Sequence, residues 1–254
     1  METKKLFPEA IQNGIKPSLS IWRIFDLVLP PFCCHCSKLG NEICRECLSE
    51  IEIIDQNRVC SKCGQKTERS HICNKYELYF DKIRSWGYYT GPLRTVIQKL
   101  KYQRGIGLSE YFVPVLKNFI YRWYKEIDLV VPVPIGKKRE HQRGYNQSAL
   151  LAEPISKKLT IQYSTLAIER IRETASQVGL TADERKENIK GAFRARETVI
   201  KNKHVLLFDD ITTTGSTLNE CAKALKLAGA LSVSCFTIAK AISTKILING
   251  MEAE

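Results

Sequence analysis

Short runs of consecutive hydrophobic residues mark the C-terminal two thirds of the chain, at positions 129–131 and 205–208. Runs of this length without polar interruption are typical of strands buried on both faces of a parallel sheet. Behind the two runs, hydrophobic residues recur at helical spacing, at Leu150, Leu151, Ile155 and Leu159 and then at Leu218, Cys221, Ala222 and Leu225. Strands that alternate with helices predict an α/β fold in which helices flank a parallel sheet.

A further helix is predicted between the N-terminal third and the first of these strands. Its hydrophobic positions Tyr111, Val115, Phe119 and Trp123 lie four residues apart, which predicts that they form its buried stripe. Earlier still, the apolar stretch 21–29 is broken by Arg23 and Asp26. It is too short and too charged to span a bilayer, and we expect a short amphipathic helix that packs on the next module.

The second hydrophobic run leads directly into a polar segment with a distinctive composition, Asp209 and Asp210 followed by a loop of hydroxyl residues and one glycine: Thr212, Thr213, Thr214, Gly215, Ser216 and Thr217. Backbone N–H groups at a helix start, with hydroxyls beside them, form a site for a phosphate group. Two adjacent carboxylates would repel that phosphate, but they suit a pair of vicinal hydroxyls or a divalent cation. Phosphate and diol together describe ribose 5-phosphate; the alternative is a polar turn with a helix-capping Asp.

Cysteines supply the second chemical signal, because eight of the ten lie between positions 33 and 73. Cys33, Cys36, Cys44 and Cys47 form two CxxC pairs, which is the spacing of a four-thiolate zinc site with a structural role. The alternative is a set of buried or redox cysteines. A second set is less complete, with Cys60, Cys63 and Cys73 as thiolates and His71 as the fourth ligand or an exposed loop residue. One or two zinc ions are therefore expected.

Charge adds an anionic partner to this picture. The chain of 254 residues is 44% hydrophobic and 26% charged, which excludes a disordered protein, and its net charge is +12. Between positions 94 and 143 there are eleven Lys and Arg residues and four acidic ones, and aromatic residues are interleaved with cations between positions 84 and 104. This mixture suits single-stranded nucleic acid, although structural packing is the favoured explanation for the aromatic residues. With no signal peptide or membrane span expected and clustered thiols, we expect a cytoplasmic protein.

Several of these motifs, taken in order, resemble the ComF family of competence proteins, in which a cysteine ribbon precedes a type I phosphoribosyltransferase-like domain. The resemblance covers about residues 20–240 and rests on segments 27–36, 99–102, 131–134 and 143–147, on Gln177, Arg185 and Asn188, and on the loop that begins at Asp209. It implies a lead-in at 1–32, a zinc ribbon at 33–80 and a phosphoribosyltransferase-like domain at 81–254. The family's last cysteine pair reads Cys73-Asn74-Lys75-Tyr76 here, so a second zinc site would need His71.

The resemblance also implies roles for particular residues. Asp209 and Asp210 would be the catalytic acids of a site for phosphoribosyl pyrophosphate and magnesium. Contacts to the pyrophosphate or to nucleic acid are expected from the cations Lys101, Lys137, Lys138, Arg139 and Arg143, although residues 136–143 also fit a solvated basic loop. A mobile lid is expected over residues 170–188, with Arg172, Gln177, Arg185 and Asn188 as its contacts.

Two functions follow from these expectations. The first is a protein of natural transformation that binds single-stranded DNA, carries a phosphoribosyl pyrophosphate or nucleotide site and works with other DNA-uptake proteins. The second is a metabolic phosphoribosyltransferase that acts on a nucleobase or amine and has no DNA role.

Overall fold

The structure is a computed structural model, and it describes residues 31–67, 73, 77–102, 106–174 and 181–242. The predicted amphipathic helix at 21–29, His71 and Gln177 lie outside these residues.

Five of the seven strands found among the described residues form one parallel sheet. The strands are β1 (Lys82–Tyr88), β2 (Leu129–Pro132), β3 (Gln162–Tyr163), β4 (Ile168–Arg170), β5 (Phe193–Ala195), β6 (His204–Thr212) and β7 (Ser232–Lys240). The sheet has the order β1-β7-β6-β2-β3, and each neighbouring pair is parallel. Strands β4 and β5 pair with each other as a separate antiparallel hairpin. The predicted α/β fold is confirmed.

The helices cover the two faces of the sheet. They are α1 (Arg45–Ser49), α2 (Gly91–Tyr102), α3 (Ile106–Trp123), α4 (Lys137–Arg143), α5 (Gln147–Leu159), α6 (Ala182–Ile189), α7 (Glu197–Ile200) and α8 (Ser216–Leu227). Helices α2, α3 and α5 pack against one face, while α6, α8 and the β4–β5 hairpin pack against the other.

Alternation along the central strand explains how one sheet carries two hydrophobic layers. Leu206 and Phe208 of β6 contribute to the layer under α3 and α5, whereas Val205 and Leu207 contribute to the layer under α8. Phe208 packs against Phe236 of β7 with ring centroids 5.2 Å apart. Burial on both faces is the reason why this strand reads as an unbroken hydrophobic run.

The cysteine ribbon shares the first of these layers with the sheet. Cys33, Cys44 and Cys47 belong to the same buried cluster as Trp86 of β1 and Phe112 of α3. The predicted boundary at residue 80 therefore separates two parts of the chain that have one continuous core.

Three local predictions differ from the structure. Strand β6 continues through Thr212, so the two acids belong to the strand and not to the loop after it. The basic segment 137–143 is a short helix, α4. In α3 the fully buried residues are Leu108, Leu116 and Ile120, while the predicted stripe at Tyr111, Val115, Phe119 and Trp123 packs at the margin of the core. No helix among the described residues is long and apolar enough to cross a membrane.

Candidate functional site

The predicted phosphate loop lies where strand β6 meets helix α8. Gly215 is the residue before α8 and adopts φ +81°, a left-handed conformation that favours glycine. Thr213 and Thr214 are exposed, and the Thr214 hydroxyl lies 2.8 Å from the Ser216 hydroxyl. Thr217 follows in the first turn of the helix. The loop thus presents hydroxyls beside the first backbone N–H groups of a 12-residue helix, which is a favourable arrangement for an anion; the Ser216 N–H donates to the Thr214 hydroxyl at 3.4 Å.

The two acids occupy the last part of β6, immediately before this loop. Asp209 Oδ1 accepts hydrogen bonds from the Ser148 hydroxyl and from the backbone N–H of Asp210, each at 2.9 Å. Burial raises the pKa of Asp209 well above its usual value, and the neighbouring charge of Asp210 raises it further. Asp210 Oδ1 accepts a hydrogen bond of 2.9 Å from the backbone N–H of Ile211.

Lys101 comes to the same place from the last turn of α2. Its Nζ lies 2.9 Å from Asp210 Oδ2, and both side chains are largely shielded from solvent. The end of α2 is held there by Tyr145, whose hydroxyl donates a hydrogen bond to the backbone carbonyl of Leu100. A predicted pyrophosphate contact therefore lies beside a predicted catalytic acid.

Strand β2 brings the basic segment to the same edge of the sheet. Pro132, the last residue of β2, pairs with Phe208, which directly precedes the two acids, so the segment that leads to α4 leaves the sheet at the edge where the acids lie. Lys137 and Lys138 are exposed, and Arg139 is half-buried. Arg143 donates a hydrogen bond of 2.9 Å from Nη1 to Gln147 Oε1 at the start of α5. Among these cations, Arg143 is thus engaged within the protein at the start of α5.

A cavity of about 420 Å³ separates α4 from the β4–β5 hairpin. Its lining is polar and mixed in charge, and consists of Lys137, Glu169, Arg170, Ile171, Glu173 and Arg194. Glu173 Oε1 accepts a hydrogen bond of 3.5 Å from the backbone N–H of Lys138, which connects the hairpin side of the cavity to α4.

Within the described part of the chain, the predicted lid residues lie just after β4 and on α6. Arg172 Nη2 donates to the backbone carbonyls of Asn188 at 3.1 Å and Lys190 at 2.7 Å, so it fixes the end of α6 to the hairpin. Arg185 and Asn188 lie on α6, which packs against α8. The structure therefore gives Arg172 a definite role in holding the segment together, and a role for these residues over the ligand stays a prediction.

The cysteines converge in two groups, as the spacing predicts. The sulfur atoms of Cys33, Cys36, Cys44 and Cys47 lie within 4.8 Å of one another, and those of Cys36 and Cys44 are 3.6 Å apart. Thiolates about 2.3 Å from one tetrahedral zinc ion would have a similar separation, so this set fits structural zinc. Cys60, Cys63 and Cys73 form the second group, with Cys60 and Cys73 sulfurs 3.1 Å apart. The three thiols predicted as ligands of a second zinc site are therefore close together.

Ser148 is the site residue that sequence reasoning missed. It is buried at the start of α5, two positions after Asn146, whose side chain caps the helix by accepting a hydrogen bond from the Ser148 N–H. A small hydroxyl residue in the first turn of a helix that follows strand β2 was the available signal, because helix starts after parallel strands gather at one edge of the sheet.

Known protein families match both the C-terminal and the N-terminal part of the chain. Residues 146–251 match the phosphoribosyl transferase domain family, and residues 24–76 match the double zinc ribbon domain family. The chain is 31% identical over 226 residues to competence protein F of Haemophilus influenzae, and the alignment covers 82% of this chain and 96% of that protein. It is 31% identical over 229 residues to the DNA utilization protein YhgH of Escherichia coli, covering 85% of this chain and 100% of that protein.

Two further similarities are more distant. Competence protein ComFC of Bacillus subtilis is 26% identical over 228 residues, which are 85% of this chain and 88% of that protein. Among solved structures, the allosteric regulatory enzyme of purine biosynthesis is 20% identical with a TM-score of 0.36, over 51% of this chain and 26% of that one.

Proposed function

The chain belongs to the ComF family of competence proteins, and on that premise we propose that it is a cytoplasmic protein of DNA uptake with two binding activities. It binds a phosphoribosyl ligand, either phosphoribosyl pyrophosphate or a nucleotide, at the edge of the sheet where β6 ends. It binds single-stranded DNA on its basic surface. Its relatives named for competence and for DNA utilization support the biological role.

One observation carries the ligand proposal, namely that the acids and the phosphate loop are consecutive at the end of the same buried strand. Thr213 to Thr217 would hold the 5-phosphate at the start of α8, and Asp209 and Asp210 would accept hydrogen bonds from the ribose hydroxyls. Carboxylate oxygens are also ligands that magnesium prefers, so this donor set fits a magnesium ion bound together with a diphosphate. When bound, the ion would neutralise charge on the diphosphate.

Calorimetry tests the ligand proposal. Wild-type protein titrated with phosphoribosyl pyrophosphate in the presence of magnesium should bind it, and Asp209→Asn and Asp210→Asn should each weaken binding by at least tenfold. Asp183→Asn, at an exposed position in the first turn of α6, is the matched control and should bind like the wild type. Absence of heat from the wild type would refute the proposal.

Single-stranded DNA is proposed to lie across α4. Lys137, Lys138 and Arg139 project from a helix that begins at the edge of the sheet where the nucleotide site is proposed, so a DNA backbone could continue from that site along their side chains. Because cations release counterions from the DNA when they bind, affinity should fall steeply with salt.

The corresponding experiment is a salt titration of DNA affinity. Replacing Lys137, Lys138 and Arg139 with Glu should make the negative slope of log K against log salt shallower by about 2. The matched control reverses Lys157, Lys158 and Lys201, which are exposed at the end of α5 and just before β6, toward the other edge of the sheet. If both triple variants lose DNA affinity to the same extent, α4 is not part of the DNA interface.

A metabolic phosphoribosyltransferase is the second candidate, and the cavity between α4 and the β4–β5 hairpin is the observation that favours it. In that reaction the anomeric carbon of the ribose would form a bond to an acceptor nitrogen as its bond to pyrophosphate breaks. The cavity has room for an acceptor of nucleobase size, with about 420 Å³ of volume. Release of pyrophosphate in the presence of a nucleobase or amine would support this candidate over a binding role.

A further inference from the structure

The ion pair between Lys101 and Asp210 is unusual in its geometry and its burial. The side chains are 19% and 9% exposed, and Nζ is 2.9 Å from Asp210 Oδ2. Yet that oxygen is buried and has no hydrogen-bond partner of good geometry among the described residues. The ammonium therefore compensates the carboxylate by charge alone. Because a buried carboxylate oxygen without a directed hydrogen bond is unfavourable, Asp210 Oδ2 is ready to accept one from a ligand group.

The Oδ1 atoms of both carboxylates are already engaged by the protein. Asp210 Oδ1 accepts from the Ile211 N–H, and Asp209 Oδ1 accepts from Ser148 and from the Asp210 N–H. Asp210 Oδ2 is a buried acceptor that lacks a directed donor, and the Lys101 ammonium lies against it. A ribose hydroxyl can donate to this oxygen only after the ammonium has moved.

Lys101 is well suited to such a movement. It lies in the last turn of α2, and its ammonium is a compact charge on a flexible four-carbon side chain. A diphosphate at the anomeric carbon of the ligand attracts that charge more strongly than one carboxylate does. Phosphate oxygens also offer the ammonium well-directed acceptors, which Asp210 Oδ2 does not.

We propose that Lys101 determines ligand specificity by changing its ionic partner. Its ammonium leaves Asp210 for the anomeric diphosphate of the ligand, so that Asp210 can bind the ribose hydroxyls only when that diphosphate is present. This inference rests on the proposed phosphoribosyl site. It implies that the protein discriminates phosphoribosyl pyrophosphate from ribose 5-phosphate, which carries the same diol and 5-phosphate but brings nothing to draw Lys101 away. The protein would distinguish the two ligands by whether the Lys101 ammonium moves from Asp210 to the ligand.

The test compares affinities for these two ligands by calorimetry at constant magnesium. Lys101→Met should weaken binding of phosphoribosyl pyrophosphate by at least tenfold and strengthen binding of ribose 5-phosphate, because the carboxylate is then open. Lys101→Arg keeps the charge and should retain most of the preference for the diphosphate. Equal loss for both ligands in Lys101→Met, with a melting temperature like that of the wild type, would overturn the proposal.

A double-mutant cycle covers the case in which Lys101→Met does not fold, because Lys101→Met with Asp210→Asn removes both charges of the pair. In the Asp210→Asn background, adding Lys101→Met should still cost at least tenfold in affinity for phosphoribosyl pyrophosphate and nothing for ribose 5-phosphate. If Lys101 served only Asp210, the added change would have no effect on either ligand, which refutes the switch. Failure of the wild type to bind either ligand would instead refute the proposed phosphoribosyl site itself.

Discussion

The hydroxyl of Ser148, in the first turn of α5, donates a hydrogen bond of 2.9 Å to Asp209 Oδ1 at the end of β6. This bond joins two elements that are about sixty residues apart in sequence and aligns one acid of the candidate site. It also satisfies a buried carboxylate oxygen that would otherwise have one donor fewer. The bond therefore affects both stability and ligand binding.

Replacement of this hydroxyl should separate those two effects. Ser148→Ala is expected to lower the free energy of unfolding by about 2 kcal/mol, because a hydrogen bond to a buried acid is lost. It should also weaken the binding of phosphoribosyl pyrophosphate. Ser156→Ala is the matched control, since Ser156 is equally buried on the same helix but donates to the backbone carbonyl of Glu153 at 2.7 Å. Urea unfolding and calorimetry measure both; weaker ligand binding in Ser156→Ala would contradict the assignment.

Stability should depend on pH through Asp209, whose pKa is raised above the ordinary value of 3.8. Between the two pKa values the folded protein binds the proton more tightly than the unfolded chain, so stability falls as pH rises through that interval. Relative to Asp209→Asn, the wild type should therefore lose free energy of unfolding, by up to about 1.4 kcal/mol per pH unit. Urea unfolding of both proteins at each pH unit from 4.5 to 8.5 measures this difference.

Glu184 gives a control of opposite sign. Hydrogen bonds from the Thr181 backbone N–H and hydroxyl lower the pKa of Glu184 below 4.5. Its contribution to stability should be present above that pH and lost on acidification, and Glu184→Gln should remove it. The same trend in both variants would show that the Asp209 result reflects a general effect of acid on the fold.

Zinc should stabilise the domain that carries the sheet as well as the ribbon, because Cys33, Cys44 and Cys47 share a core with Trp86. We expect two zinc equivalents per chain, and Cys36→Ser and Cys60→Ser should each remove one and lower the melting temperature. Cys34→Ser is the control and should retain both, since Cys34 belongs to neither sulfur group. Metal analysis measures the zinc content of each protein, and Trp86 emission reports whether the shared core is disturbed. One equivalent in the wild type would contradict the second site.

Arg84 connects the ribbon to the sheet. Its Nη1 donates a hydrogen bond of 2.9 Å to the backbone carbonyl of Gln56, and its guanidinium lies 4.6 Å from the Trp123 ring centroid. Arg84→Met should cost about 2 kcal/mol of unfolding free energy, because both interactions are lost at a partly buried position. Arg122→Met removes an exposed cation 5.6 Å from the same ring and should cost about 0.5 kcal/mol. Comparable costs would exclude this role for Arg84.

Parts of the fold could be predicted because local sequence determines them. An unbroken apolar run such as residues 205–208 has few solutions other than a strand buried on both faces, and the CxxC pairs place two sulfurs on one turn whatever the rest of the chain does. In α3, by contrast, spacing located a helix but placed the centre of its buried stripe one residue too early, since both Phe112 and Tyr111 begin acceptable hydrophobic stripes. Which stripe is buried depends on the sheet beneath it.

By itself, the sequence determined the α/β class, the two thiolate groups, the phosphate loop before α8 and the pair of acids. These features depend on residue type, short spacing and backbone conformation, which are local properties. Only the tertiary structure decided that Lys101 lies against Asp210 and that Ser148 holds Asp209. Those partners come from α2 and α5, and they meet the acids because parallel strands end at one edge of the sheet, where helices distant in sequence are brought together.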